Sequence, residues 1–261
     1  SSRDPDVSPS GFFKRTSLMP ENREALRDPD TKRELNRNLF NRIASRYDIV
    51  TRLLSLGRDS AWKRALVAQL PAADPRVCLD VASGSGDIAA LLAERYPSAR
   101  IQALDLSEEM IIRARLRLAG NQFEFTCGDI SSLPYPDGSA DLVTGGYALR
   151  NVPDLGQALA QIHRVLKPGG VAFFLDFVQP PPGARRIFQH FLLHAWGSLV
   201  GLAIHLRPST YRYIPQSLAQ YPSAIELRTL FEKAGFEFLR RKRHFFGIME
   251  RLEVRKPYAG Q

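Results

Sequence analysis

Residues 79–89 read LDVASGSGDIA, a short apolar run followed by a glycine-rich loop and the start of a helical pattern. The loop matches G-x-G-x-x-A, in which glycines let a ligand approach the backbone closely. A strand, such a loop and a helix in this order are typical of an α/β domain that binds an adenosine-containing cofactor. Taken alone, the loop also fits a dinucleotide site.

Apolar runs and helical patterns alternate on the C-terminal side of this loop. Ser107 is the expected N-cap of the second helix, and residues 167–170 (KPGG) are expected to form a turn. This alternation predicts a doubly wound α/β fold with a mostly parallel sheet and helices on both faces. The predicted strands are 77–81, 101–104, 123–126, 141–144 and 171–177, and the predicted helices are 31–46, 59–70, 87–95, 109–118 and 155–166.

Residues 187–206 form an unusual segment of twenty mostly apolar residues. The length would allow a membrane span, but Gln189, His190 and His194 lie within it. We expect a buried or cap helix, with contact to a membrane surface as the alternative. The predicted organisation is a flexible tail (1–30), a helical segment covering the site (31–71), the α/β core (72–182), a helical cap that binds the acceptor (183–222) and the C-terminal part of the core (223–261).

The net charge of +9 is concentrated near the C-terminus, where residues 181–261 carry 13 basic and 5 acidic side chains. Such a region can contact anionic lipid, whereas no nucleic-acid-binding motif accompanies it, so nucleic acid is not an expected partner. Cys78 and Cys127 lie in apolar runs and are expected to be buried thiols. No secretion signal is recognisable. We expect a cytoplasmic or organelle-interior protein, peripheral to a membrane at most and not secreted.

Asp80 separates the two cofactor classes. It lies four residues before Gly84, where a dinucleotide would bring its pyrophosphate, and a carboxylate there repels phosphate. S-adenosylmethionine carries an ammonium and a sulfonium group instead, and both are attracted by the carboxylate. The sequence therefore favours S-adenosylmethionine, with S-adenosylhomocysteine as the product, over a nicotinamide cofactor.

Two further acids follow the next strands. Asp105 is expected to accept hydrogen bonds from the ribose hydroxyls, and Asp129 from the adenine amino group. The alternatives are that Asp80 only caps the loop and that Asp129 only fixes a turn. The predicted donor-binding residues are Asp80, Ala82, Ser83, Gly84, Gly86, Asp105, Leu106, Gly128, Asp129, Ile130 and Tyr147.

Four other motifs lie along the chain: FNRIASRYD (residues 40–48), LRNV (149–152), RVLKPGG (164–170) and YRYIPQS (211–217). Together with the loop at 79–89 they resemble the UbiE/MenG/Coq5 family of quinone-biosynthesis C-methyltransferases. The resemblance implies a seven-stranded, Rossmann-like class I methyltransferase with N-terminal helices and a helical cap. It also implies methyl transfer to a ring carbon of a prenylated benzoquinol or naphthoquinol, as in demethylmenaquinone and demethylphylloquinone methyltransferases.

The chain departs from the family pattern at Thr51, at 59–62 (DSAW) and at 249–254 (MERLEV). These departures leave a second interpretation open, in which the acceptor is another hydrophobic phenolic metabolite and the transfer is to carbon, oxygen or nitrogen. A third interpretation is a non-catalytic subunit that binds the donor. The intact donor motif and Arg150-Asn151 argue against it.

Transfer to a ring carbon requires a phenolate and a group that stabilises it. Arg150 is the candidate stabiliser, because arginine is a poor base at its ordinary pKa. Asn151 would orient the acceptor, and Tyr47 would fold over the donor or touch the acceptor hydroxyl. The alternatives are a surface ion pair of Arg150 with Asp154 and ordinary packing of Tyr47.

His190, Tyr211 and Tyr213 are candidate acceptor-binding residues. His190 and His194 have the i, i+4 spacing of a metal-binding pair. No third ligand is evident, and methyl transfer to carbon needs no metal, so no metal site is predicted. The expected partner is a small hydrophobic acceptor, a lipid-tailed quinol, taken from a membrane surface by transient contact. A homodimer is left open.

Overall fold

The computed structural model describes residues 28–179, 183–205, 213–244, 247–258 and 260. The expected tail therefore lies outside the described residues except for its last three positions. Within the described part of the chain the strands form a single seven-stranded sheet. The strands are β1 Val77–Val81, β2 Arg100–Asp105, β3 Phe123–Cys127, β4 Ala140–Gly146, β5 Leu166–Phe177, β6 Glu237–His244 and β7 Met249–Arg255.

The helices flank this sheet, and several of them begin at a polar side chain that caps the helix. Ser107 accepts a hydrogen bond from the Met110 N–H, which confirms it as an N-cap. Ser223 and Glu226 form a reciprocal capping box at the start of another helix. The helices are α1 Pro29–Ile43, α2 Tyr47–Leu54, α3 Asp59–Val67, α4 Asp87–Arg95, α5 Glu108–Arg117, α6 Leu155–Val165, α7 Ala184–His205, α8 Tyr213–Gln220 and α9 Ala224–Lys233.

The strand order is β3-β2-β1-β4-β5-β7-β6. The first five strands run parallel, and β7 lies antiparallel between β5 and β6. Helices α4, α5 and α6 connect β1 to β2, β2 to β3 and β4 to β5, so the prediction of a doubly wound, mostly parallel sheet is confirmed. The carboxyl ends of β1, β2 and β4 meet at one edge of the sheet, where ligands bind in folds of this kind.

Apolar side chains cover both faces of the sheet because successive residues of a strand point in opposite directions. Leu79, Val143 and Phe174 belong to the core cluster that includes residues of α6 and α9. Cys78 and Leu142 belong to the cluster on the other face, which includes residues of α3 and α4. A third, smaller cluster of Leu39, Ile43, Val50 and Val200 joins α1, α2 and α7.

The expected turn at residues 167–170 is wrong, because these residues belong to β5. The Gly169 N–H donates to the Lys256 carbonyl, and the Lys256 N–H donates to the Gly170 carbonyl. The chain that follows β7 thus pairs with the residues expected to turn. The pairing of β4 with β5 is irregular here: its register shifts between Ala140 and Leu142. Gly169 has a positive φ of +77°, which a glycine adopts without strain.

One other expectation needs correction. Cys78 is buried, but Cys127 is exposed, because it ends β3, a strand that pairs only with β2 and forms the edge of the sheet. Both cysteines are free thiols. The basic residues Arg240–Arg243 belong to β6, which forms the opposite edge of the sheet.

Helix α7 is partly buried and partly exposed. Val200 and Gln189 are buried, whereas Phe188 and Phe191 are 61% and 66% exposed. The expected cap helix therefore presents a wide apolar face to solvent, which a fully buried helix would not. None of the helices in the described ranges combines the length and the apolar character that a membrane crossing requires.

Candidate active site

A cavity of about 400 Å³ lies at the carboxyl edge of β1, β2 and β4, walled on its outer side by residues of α1, α2 and α7. Most of its lining is apolar, including Val50, Leu54, Leu193 and Trp196. Of the residues predicted from the sequence, the cavity brings together Tyr47, Ala82, Gly84, Asp105, Leu106, Gly128, Asp129, Ile130, Tyr147, Arg150 and Asn151.

A narrower pocket, here called the recess, adjoins this cavity. It shares Tyr47, Ala82, Gly84, Gly146 and Tyr147 with the cavity. Its other lining residues are Lys63, Asp80, Ser83, Ser85, Asp87 and Ile88.

The glycine-rich loop is fixed to the end of β2. The Ser83 N–H donates to the Leu104 carbonyl at 3.0 Å, and the Gly84 N–H donates to Asp105 Oδ2 at 2.8 Å. Gly86 has a φ of +87° and does not line the cavity or the recess. A Cβ on Gly86 would lie 2.7 Å from Leu118 Cδ1, so this glycine permits close packing beside α5.

Asp80 is fully buried near the end of β1. Its Oδ1 accepts a hydrogen bond from the Thr144 hydroxyl at 2.8 Å, whereas Oδ2 has no hydrogen-bond partner among the described residues. Burial raises the pKa of Asp80 to about 7, against the opposing effects of Thr144 and the Lys63 cation. The buried carboxylate lines the recess, and its unpaired oxygen suits a cationic ligand.

Asp105 is also buried, but both of its oxygens have partners. Oδ2 accepts from the Gly84 N–H, and Oδ1 accepts from the Ser107 N–H at 2.9 Å. Burial raises the pKa of Asp105, and these backbone donors partly offset the shift. The residue therefore anchors the loop and also presents a carboxylate to the cavity, since each oxygen has a second lone pair.

Asp129 has two structural partners. Its Oδ1 accepts from the Ser131 N–H at 2.8 Å, which is the turn-fixing alternative, and its Oδ2 accepts from the guanidinium of Arg33 in α1. The pKa of Arg33 is raised mainly by this contact. The ion pair with α1 was not foreseen from the sequence.

Arg150 lies in the 3₁₀ turn Leu149–Asn151 and is only 4% exposed. Its backbone N–H donates to Asp176 Oδ2 at 3.1 Å, and its guanidinium donates to the Ser217 hydroxyl and lies 5.1 Å from the centre of the Phe177 ring. Asp154 instead caps α6 by accepting from the Gln157 N–H. The alternative of a surface ion pair between Arg150 and Asp154 is therefore wrong.

A second cation lies near Arg150. Lys32 of α1 donates to the Val152 carbonyl at 2.6 Å. Burial and, to a smaller degree, the charge of Arg150 together lower the pKa of Lys32 to about 8. This end of the cavity is consequently electropositive, a property that favours an anionic form of a ligand.

A hydrogen bond joins the Asn151 side chain to the backbone of Tyr147. Asn151 Nδ2 donates to the Tyr147 carbonyl at 3.1 Å, while Asn151 Oδ1 is buried without a hydrogen-bond partner among the described residues. Tyr147 has an unusual φ of +57°, and its hydroxyl donates to Asp59 Oδ1 at 2.7 Å. Tyr47 packs edge-to-face on Phe40 beside the loop. Its ring borders both the cavity and the recess.

Of the three acceptor-binding candidates, His190 is the one whose side chain is among the described residues. His190 lies on α7 outside the cavity lining. Burial lowers its pKa, as does the neighbouring charge of Arg186. Tyr211 lies outside the described residues, and Tyr213 begins α8 with a side chain that is also outside them. Across the residues that are described, no group of three or more His, Cys, Asp or Glu side chains is arranged to hold a metal ion.

A profile of the ubiE/COQ5 methyltransferase family matches residues 29–252, most of the chain. The chain belongs to the ubiE/COQ5 methyltransferase family. The family resemblance inferred from the sequence is thereby confirmed, and the chain is an S-adenosylmethionine-dependent methyltransferase.

Two similar relatives of this ubiE/COQ5 methyltransferase are demethylmenaquinone methyltransferases. The protein of Deinococcus radiodurans is 37% identical over 226 residues, which are 84% of this chain and 92% of that protein. The protein of Thermus thermophilus is 37% identical over 205 residues, 76% of this chain and 91% of that one. A ubiquinone/menaquinone biosynthesis C-methyltransferase UbiE of Desulfotalea psychrophila is 37% identical over 213 residues, 81% and 86% of the two chains. These names support the predicted methylation in quinone biosynthesis.

Solved structures with the same fold are more distant in sequence. A methyltransferase in complex with the Haloferax volcanii Trm112 methyltransferase activator has a TM-score of 0.63 and 19% identity, covering 84% of this chain and 98% of its own. An S-adenosylmethionine-dependent methyltransferase of Thermotoga maritima has a TM-score of 0.58 and 20% identity, covering 84% and 99%. They confirm the predicted class I methyltransferase fold.

Several residues at the site of this ubiE/COQ5 methyltransferase were missed by the sequence reasoning. Lys63 and Asp59 lie one helical turn apart in α3, and this i, i+4 spacing was the available signal. Lys32, Arg33 and Asn36 come from α1, whose position over the sheet edge no local pattern predicts. The missed apolar wall consists of Trp62, Phe177, Leu192, Leu193, Trp196 and Met249.

A buried acidic pair behind Arg150 gives this methyltransferase a predictable pH dependence of stability. Asp176 and Glu250 are paired across β5 and β7, and each is 1% exposed. Burial raises the pKa of Glu250 to about 7, although Arg241 and Arg243 oppose the shift. Because this pKa is above the ordinary value of 4.5, the folded protein binds more protons than the unfolded chain between these values. Stability therefore falls as pH rises through that interval.

We expect the free energy of unfolding to fall between pH 5 and pH 7.5, and Glu250→Gln to reduce that fall by about 2 kcal/mol. Part of the fall will persist because the pKa of Asp80 is raised as well. Urea denaturation at a series of pH values measures both curves, with Glu94→Gln on the exposed surface of α4 as the control. Parallel curves for wild type and Glu250→Gln would contradict this prediction.

Proposed function

We propose that this chain transfers the methyl group of S-adenosylmethionine to a ring carbon of a lipid-tailed benzoquinol or naphthoquinol. The observation that carries the proposal is the continuity between an acidic recess and a mostly apolar cavity that reaches α7. A cationic donor suits the recess, and a hydrophobic ring with an apolar tail suits the cavity.

The donor-binding residues match the chemistry of S-adenosylmethionine. Asp80 provides an unpaired, buried carboxylate oxygen for the ammonium group. Asp105 has lone pairs for the ribose hydroxyls, and Asp129 and Ile130 border the part of the cavity assigned to the adenine. The bound donor supplies a methyl group already activated by the sulfonium.

The acceptor-binding residues hold and polarise the ring. Arg150 stabilises the negative charge of the phenolate, aided by the nearby Lys32 cation. Asn151 presents its unpaired Oδ1 to the acceptor hydroxyl. Tyr47 and Tyr147 limit water at the boundary between the recess and the cavity, which keeps these electrostatic interactions strong. In this proposal residues 31–71 and the described residues of 183–222 supply the two outer walls around the α/β core.

The direct test is mass spectrometry after the full chain is incubated with S-adenosylmethionine and a panel of chemically reduced, demethylated quinols. We expect one methyl group on a ring carbon of at least one quinol, with stoichiometric S-adenosylhomocysteine. S-adenosylhomocysteine binding without any methylated quinol would overturn the proposed acceptor. A methyl group on oxygen would overturn ring-carbon transfer.

A lipid-tailed acceptor has to reach the cavity from a membrane, and α7 offers a surface for that contact. The helix contains no acidic residue, and Arg186 lies near its start. Its exposed apolar residues continue along the helix into Leu192, Leu193 and Trp196, which line the cavity. We therefore propose that this face docks on a lipid surface, with the cavity mouth toward it.

Binding to vesicles should depend on this face. The double substitution Phe188→Ser/Phe191→Ser is expected to reduce co-sedimentation with anionic vesicles by about tenfold, because two large apolar side chains no longer enter the interface. Ile225→Ser, at an exposed apolar position of α9, serves as the control. Equal co-sedimentation of the α7 variant and wild type would contradict the proposed orientation.

A further inference from the structure

The recess contains one ammonium group to which the proposed function assigns no role. Lys63 projects from α3, and its side chain is 7% exposed. Its Nζ lies 2.7 Å from Asp59 Oδ2 and 2.8 Å from Asp87 Oδ2. Burial of a lysine side chain to this degree costs free energy unless its charge interacts with anionic groups.

Lys63 is charged in the folded protein. Burial lowers its pKa, but the charges of Asp59 and Asp87 outweigh burial and raise the pKa above its ordinary value. These two carboxylates use two of its three N–H donors. Lys63 is the one cationic side chain among the described residues that line the recess.

A second polar group in the recess also lacks a partner. Ser83 is 9% exposed, and its hydroxyl oxygen is buried without a hydrogen-bond partner among the described residues. The neighbouring hydroxyl of Ser85, by contrast, donates to Asp48 Oδ1 at 3.0 Å. An orphaned hydroxyl and a buried ammonium that line the same recess match the needs of a carboxylate ligand.

We propose that Lys63 and Ser83 bind the carboxylate of the donor's methionine portion, while Asp80 binds its ammonium group. This inference rests on the proposed use of the recess for S-adenosylmethionine. Opposite charges on the ligand then meet opposite charges on the protein within one small pocket. The recess thus selects an amino-acid zwitterion, and an adenosine thioether without that group gains nothing from Lys63.

The test compares two ligands that differ only in this portion. Isothermal titration of the full chain is carried out with S-adenosylhomocysteine and with 5′-methylthioadenosine, which has the adenosine and the thioether but no amino acid. For Lys63→Met we expect the dissociation constant of S-adenosylhomocysteine to rise about 30-fold, and that of 5′-methylthioadenosine to change less than about threefold. Ser83→Ala is expected to raise only the dissociation constant of S-adenosylhomocysteine, by about fivefold.

Further variants keep the result interpretable. Lys63→Arg retains the charge and should bind S-adenosylhomocysteine within about fivefold of wild type. Lys233→Met removes an exposed lysine of α9 and should change neither ligand's affinity. An equal loss for both ligands in Lys63→Met and Ser83→Ala would show a structural role and overturn the inference, as would unchanged binding of both. If wild type bound neither ligand, the proposed donor site would fall as well.

Discussion

Replacement of Arg150 by Met is expected to lower kcat at least about a thousandfold, while the dissociation constant of S-adenosylhomocysteine changes by less than about threefold. The guanidinium is buried at the wall of the cavity, with Ser217 and Phe177 as neighbours. A phenolate in this apolar space needs a nearby cation, and methionine offers similar length without charge. Single-turnover product formation and isothermal titration measure the two quantities separately.

Two control variants accompany this experiment. Arg150→Lys keeps the charge but loses the planar fork, and we expect a loss of kcat of about 10- to 100-fold. Arg100→Met removes an exposed arginine at the amino end of β2, away from the site, and should leave turnover unchanged. Turnover of Arg150→Met at the wild-type rate would remove Arg150 from the proposed chemistry.

Replacement of Asp80 by Asn is expected to raise the dissociation constant of S-adenosylhomocysteine about 100-fold. Asparagine preserves the shape and can still accept the Thr144 hydroxyl hydrogen bond, so the loss reports the missing charge. Asp74→Asn on the exposed surface is the matched control. Unchanged affinity in Asp80→Asn would show that this carboxylate serves only the loop.

The Asp80→Asn variant should also lose the pH dependence of its affinity for S-adenosylhomocysteine. With the pKa of Asp80 at about 7, a proton competes with the ligand's ammonium group below that pH. Wild-type affinity is therefore expected to fall up to about tenfold per pH unit between pH 7 and pH 5.5, whereas Asp80→Asn should show a flat profile. A wild-type profile that is already flat would contradict the assignment of the ammonium group to Asp80.

The residues of the proposed donor site could be predicted from the sequence because their positions follow from local order along the chain. Asp80, Gly84 and Asp105 each follow or end a parallel strand, and the carboxyl ends of such strands meet at one edge. The same logic correctly placed Arg150 and Asn151 after β4. For Gly86, motif membership does not distinguish contact with a ligand from packing against Leu118.

The side chains that the helices bring to the site could not be predicted from local order along the chain. Arg33 and Lys63 reach the site only because α1 and α3 dock on the sheet edge, and docking depends on tertiary contacts such as Leu39 with Val200. The exposure of Cys127 has a similar cause, because strand order alone makes β3 an edge. A local apolar pattern also cannot tell a core helix from α7, whose apolar side remains exposed.

The position of β7 has a consequence for how the polypeptide acquires its native state during synthesis. Along the sequence this strand is the last of the described strands, yet it lies between β5 and β6. Until residues 249–255 leave the ribosome, the β5 edge holding Phe173, Phe174 and Leu175 has unpaired backbone groups, and β6 has no strand to join. Completion of the sheet is consequently a late event that depends on long-range strand pairing. A nascent or prematurely terminated chain exposes an unpaired apolar strand edge, which favours aggregation and chaperone binding.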